Sequence, residues 1–162
     1  MVNREHNGLW VILLTFAAAY LLAIVALPQW LVLARPEWLA LALIYWTIAL
    51  PHRIGIATAV VLGIGLDVLE GAVFGQNALS LMVVALLSLV LYQRLRVFNV
   101  LQQSGTVFIL IGVNQLICQW LQNLQGNGSP TIAFLLPAFT SALLWPVVFQ
   151  ILRGLRRHYR VS

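Results

Sequence analysis

An all-α, polytopic membrane fold is what the sequence predicts, on three observations. Of the 162 residues, 62% are hydrophobic and 8% are charged, whereas a water-soluble domain carries about a quarter charged residues. Residues 9–27, 107–117 and 132–152 contain no charge at all, and a membrane-crossing helix needs ~20 mostly apolar residues. These runs do not alternate between apolar and polar residues, as the strands of a transmembrane β-barrel must.

Six spans are expected, forming one transmembrane domain over residues 1–162 with no room for a soluble domain. The first, 9–27, stops at Pro28. It exceeds the 7–15-residue core of a signal peptide, so it reads as a retained helix. The second, 36–50, opens on Pro36, which suits a first helical turn where a missing N–H is no loss, and stops at Pro51. It is short: residues 38–50 extend ~20 Å against a hydrocarbon core of ~30 Å. Extra turns from 31–36, local thinning or a re-entrant geometry are the ways to close that gap. The preceding LPQWLVLARPEW is expected along the outer interface, where Trp30 and Trp38 fit. The remaining spans are 54–74, 78–95, 106–124 and 131–152, and Gly126-Asn127-Gly128-Ser129-Pro130 is a turn signal.

Charge orients the bundle. The net +5 comes entirely from arginine. With six spans both termini share one side. Arg4, Arg53, Arg94, Arg96, Arg153, Arg156, Arg157 and Arg160 fall there, and only Arg35 falls opposite. The positive-inside rule then makes both termini cytoplasmic. Topology thus accounts for the basic balance without nucleic acid. The tail arginines Arg153, Arg156, Arg157 and Arg160 form a juxtamembrane cluster expected to meet anionic lipids, each worth ~1 kcal/mol near such a surface. The single cysteine, Cys118, reads as a small buried hydrophobe.

Residues 63–75, GIGLDVLEGAVFG, hold two of the four acidic residues. On a helix over 54–74, Gly55, Ala59, Gly63, Asp67, Gly71 and Gly75 recur every four positions and share a face. Small residues let a neighbouring backbone approach closely, so the stripe predicts a helix-packing surface; a backbone-lined ligand cavity is the alternative. Asp67 lies ~21 Å into the bilayer from Arg53, where a carboxylate costs roughly 2.5–3.5 kcal/mol. Either it is functional, or it holds a structural hydrogen-bonding or helix-terminus role. Amides of the fifth span, Gln115 and Gln119, together with an inward-folding Arg35, are its expected partners. Glu70 is expected at the outer interface. Catalysis is not expected: no H-E-x-x-H or G-x-S-x-G occurs, and His6, His52 and His158 lie at the cytoplasmic edge. No metal or other cofactor is called for.

The run from Arg35-Pro36-x-Trp38 through Tyr45-Trp46 and Leu50-Pro51-His52-Arg53 into Gly63-x-x-x-Asp67-x-x-x-Gly71-x-x-x-Gly75, with Leu144-Trp145-Pro146 in the last span, resembles the MreD family of bacterial rod shape-determining proteins, in its Gram-negative form. That resemblance implies a non-enzymatic inner-membrane subunit of the cell-elongation complex. Such a subunit binds the bitopic protein MreC, is associated with MreB, RodA and its transpeptidase, and organises lateral peptidoglycan synthesis. It also implies a compact bundle similar to the S components of energy-coupling-factor transporters, whose Ala-x-x-x-Ala pattern Ala19-x-x-x-Ala23 matches. The competing expectation is a small-molecule binding or transport component with a periplasm-facing pocket around Asp67.

Overall fold

The computed structural model describes residues 8–128 and 131–161; the expectations resting on Arg4, His6 and the Ser129-Pro130 end of the turn lie outside the described residues. Within them the chain is all-helical: α1 (Leu9–Ile24), the single turn α2 (Gln29–Val32), α3 (Trp38–Ala49), α4 (Ile56–Glu70), α5 (Gln76–Val97), α6 (Val100–Leu124), a 3-10 turn (Ile132–Leu135) and α7 (Leu136–His158). By length and composition Gln76–Val97, Val100–Leu124 and Ile132–His158 can cross a membrane, and α1 and α3 are shorter apolar helices.

Cross-helix bonds set the directions. Trp46, late in α3, donates from Nε1 to Thr15 Oγ1 in the first half of α1 at 2.8 Å, so these helices are antiparallel. Arg96 at the end of α5 reaches the last carbonyls of α3, and Ser141 early in α7 meets the residue before α3. Hence α3, α5 and α7 run one way, and α1, α4 and α6 the other. The described chain ends meet: the Trp10 and Tyr159 rings lie edge to face at 5.0 Å, and Val161 covers Gly8. One end of the bundle therefore gathers the arginines of the C-terminal end, of the α3–α4 connection and of the last turn of α5. The far end holds α2, the start of α3 and the α4–α5 connection.

The core is organised around α3. Residues Leu39–Ala49 are all buried, packed among α1, α5, α6 and α7; a helix apolar all round belongs in such a position. This answers the short second span. Twelve residues make about 18 Å of helix, and the unpaired end groups that any helix leaves are met inside the bundle. The Glu37 N–H donates to Ser141 Oγ at 2.9 Å. At the other end Arg96 donates from Nε to Ile48 O at 3.0 Å and from Nη2 to Ala49 O at 3.2 Å.

Three boundaries differ from those the apolar runs suggest. The helix expected over 54–74 stops at Glu70, because Gly71 turns left-handed (φ +62°) and donates with Ala72 to Asp67 O. α6 begins at Val100, well before residue 106, because Asn99 and Gln102 form a capping box in which Gln102 Oε1 accepts from the Asn99 N–H; the polar Gln102-Gln103-Ser104 stretch conceals that start from a hydropathy reading. α7 continues past 152 through Arg153, Arg156 and Arg157 to His158, so those three arginines are placed by a helix, while Arg160 lies in the turn beyond it.

Candidate functional site

The far-end polar cluster is built on the α4–α5 hairpin. Gly63, midway along α4, is where the two backbones touch: a Cβ there would lie 2.3 Å from Ala78 Cα and 2.5 Å from Ala78 N. That approach brings the start of α5 under Asp67, which is 2% exposed. Asp67 Oδ2 accepts from the Gly75 N–H at 2.9 Å, and Oδ1 from the Asn77 N–H at 2.8 Å. The carboxylate thus satisfies the orphan donors at the start of α5 and sits at the positive end of its dipole. Gly75, at φ +94°, makes the tight entry that aims these N–H groups back at Asp67. Asn77 extends the network: its Nδ2 donates to Glu70 Oε2 at 3.2 Å, and Cys118 Sγ lies 3.8 Å from its Oδ1.

The expected partners of Asp67 go elsewhere. Gln115 donates from Nε2 to Glu37 Oε1 at 2.6 Å. Arg35 donates to Leu22 O at 3.2 Å, with Glu37 and Glu70 as charged neighbours. Gln119 donates to Asn123 Oδ1 at 3.4 Å. The reason is local: the Gly75 and Asn77 N–H groups, eight and ten residues on and just past the helix break at Gly71, come to Asp67 already oriented, and they use both of its oxygens. The stripe contracts for the same reason. Ala59, Gly63 and Asp67 lie on α4, while Gly55 caps its start, Gly71 its end and Gly75 the start of α5. Half of the four-residue series is turn chemistry and not a packing face.

The arginine-rich end holds a second arrangement. A cavity of about 240 Å³ opens among the ends of α3, α5 and α7 and the start of α6, lined by Tyr45, Arg96, Gln103, Phe149, Arg153 and Arg156 with the last α3 backbone. Gln103, buried, donates from Nε2 to Leu95 O at 2.8 Å and accepts from Trp145 Nε1 at 3.2 Å. Arg153 lies 5.9 Å over the Phe149 ring, and Arg156 sits against the Tyr45 hydroxyl. The tail cluster therefore divides, with Arg153 and Arg156 on the cavity and Arg157 and Arg160 exposed away from it.

Comparison with known proteins decides the family. The family described as rod shape-determining protein MreD matches residues 4–155. The chain belongs to the MreD family. A Haemophilus influenzae rod shape-determining protein MreD is 29% identical over 134 residues, covering 83% of this chain and 78% of that one. No solved structure matches. The MreD match spans both the Asp67 hairpin and the arginine-rich end as far as Leu155.

Glu37, Asn77, Arg96, Gln103 and Ser141 carry much of this geometry without having been singled out in the sequence. One signal was available for Glu37: an acid directly before the buried α3 run must find a donor inside the bundle. Arg96 looked like one of two topology charges, and only the folded chain separates it from Arg94.

Proposed function

We propose that this MreD-family chain is a non-enzymatic inner-membrane subunit of the cell-elongation complex. In this reading it crosses the membrane six times with both termini cytoplasmic, binds MreC, and through it supports lateral peptidoglycan synthesis by the MreB- and RodA-containing machinery. Family membership supports the cell-shape role. The observation that carries the MreC reading is a lateral groove between α1 and α4, which touch only sparingly. It has a volume of about 670 Å³ and is lined mostly by apolar groups including Leu13, Phe16, Ala17 and Val61, with Tyr20 donating to Leu62 O across it and Thr58 and Arg53 on its wall. A groove of this kind at membrane depth suits the single apolar helix of a bitopic protein, which would pack by close van der Waals contact. Exposed Trp30 and Phe74 at the far end extend the surface towards a periplasmic segment.

Two facts favour this reading over a small-molecule site at Asp67. Both Asp67 oxygens are occupied by backbone donors, and the space beside Gly63 is filled by α5. The test is capture of MreC by the full chain in detergent. Co-elution is expected from wild type and from Val90→Trp, whose site is exposed elsewhere on α5. Val61→Trp, filling the groove, should lose capture at an unchanged melting temperature. Failure of wild type to co-purify with MreC at matched expression overturns the proposal.

A further inference from the structure

The cavity at the arginine-rich end has the character of a built anion site. Its three arginines come from two helices, Arg96 from α5 and Arg153 and Arg156 from α7. Arg96 is held in place by the α3 carbonyls, so its guanidinium is positioned before any ligand arrives. Arg153 is steadied by Phe149. The three described carboxylates, Glu37, Asp67 and Glu70, all lie at the far end of the bundle with their own partners. Among the described residues, no carboxylate lines the cavity to neutralise the arginines. Tyr45 and Gln103 add polar groups to its wall, and Phe149 and the end of α3 make the remainder apolar.

Size and position narrow the ligand. At about 240 Å³ the cavity is smaller than the roughly 300–1,000 Å³ of sites that enclose a drug-sized molecule. It sits where the apolar helices end and the arginines begin, the level at which a bilayer presents its phosphates. Arginine is the side chain suited to phosphate, through paired, charge-assisted N–H donors. Basic pockets between transmembrane helices take anionic head groups in this way. We propose that this cavity binds the phosphate head group of one anionic phospholipid, with Arg96, Arg153 and Arg156 as its ligands and the acyl chains lying outside along α7. The site is distinct from general attraction of the basic tail to a charged surface, since the exposed Arg157 and Arg160 do not line it.

Native mass spectrometry of the purified full chain tests this, with phosphatidylglycerol, phosphatidylcholine and inorganic phosphate as probes. Wild type should retain one phosphatidylglycerol and release phosphatidylcholine, a comparison that needs no variant. Arg153→Gln/Arg156→Gln should weaken retention about 30-fold, the ratio two arginines give at ~1 kcal/mol each. Arg157→Gln/Arg160→Gln should retain the lipid as wild type does. Equal retention of the two lipids, or unchanged retention in Arg153→Gln/Arg156→Gln, overturns the proposal. So does displacement of the lipid by equimolar inorganic phosphate, which would make a soluble phosphate the ligand. The readout uses the isolated chain, so its failure is separable from failure to bind MreC.

Discussion

The Asp67 carboxylate accepts the backbone N–H of Asn77 at 2.8 Å, so a side chain on one helix caps the next across a glycine-rich turn. The membrane-depth cost of the charge is offset where the polar groups at the start of α5 would otherwise stand unpaired. Asp67→Asn keeps one acceptor and should cost about 0.5–2 kcal/mol, the range of a lost cap. Asp67→Leu leaves both donors unmet at ~1–3 kcal/mol each and should lower membrane accumulation sharply. Thermal unfolding in detergent with quantitative blotting of membranes reads both; Asp67→Leu accumulating and melting like wild type would sink the capping role.

Gly63 and Gly105 are predicted to respond in opposite directions to alanine. At Gly63 the new methyl meets the Ala78 backbone, whereas at Gly105 it meets open space. Gly63→Ala should destabilise by ~1–3 kcal/mol through overpacking. Gly105→Ala, inside α6, should be neutral or gain up to about 0.5–1 kcal/mol from reduced backbone entropy. Melting temperatures of the two variants measured side by side check this, and equal shifts would contradict the close approach of α4 and α5.

Glu37 and Gln115 bridge α3 and α6 across 78 residues of sequence at 2.6 Å. A hydrogen bond contributes about 0.5–1.5 kcal/mol net, and more when its acceptor is ionised. A double-mutant cycle of Glu37→Ala and Gln115→Ala should therefore show coupling of ~1 kcal/mol or more, against ~0.3–0.5 kcal/mol for independent sites. Additive effects would mean that the contact stabilises nothing.

Ser88 Oγ is fully buried on α5 with no hydrogen-bond partner among the described residues. Ser88→Ala removes a desolvated hydroxyl and should be neutral or stabilising by about 1 kcal/mol. Ser80, equally buried but donating to Asn77 O at 3.1 Å, should lose about 0.5–1.5 kcal/mol on the same change. Chemical or thermal unfolding of the pair separates the two serines, and a larger loss at Ser88 than at Ser80 would refute the assignment.

Much of the site was legible only in part. The run from Gly63 to Gly75 marked the right place, because a carboxylate among glycines in an apolar chain has few physical explanations. Its mechanism was not legible. Four-residue spacing is shared by a continuous helix face and by glycines that cap, break and restart a helix, and only backbone conformation separates Gly63 from Gly71 and Gly75. Amides were reasonable partners for Asp67 by depth, yet two oriented N–H groups were closer along the chain.

By itself the sequence determined that the chain is a helical membrane protein of the MreD type. Apolar length and charge scarcity call for a membrane fold, and the lack of apolar–polar alternation leaves helices, not a barrel, to satisfy the backbone in lipid. The arginine distribution likewise placed one set of connections apart from the other. The tertiary structure alone decided which polar groups meet. Glu37 with Gln115, Asp67 with the start of α5, and Arg96 with the end of α3 are pairings across helices, set by how side chains of different spans line up once packed. A one-dimensional pattern records how deep each group lies but not which neighbour it faces. For that reason the short α3 looked deficient as a span and proved to be the buried centre of the fold.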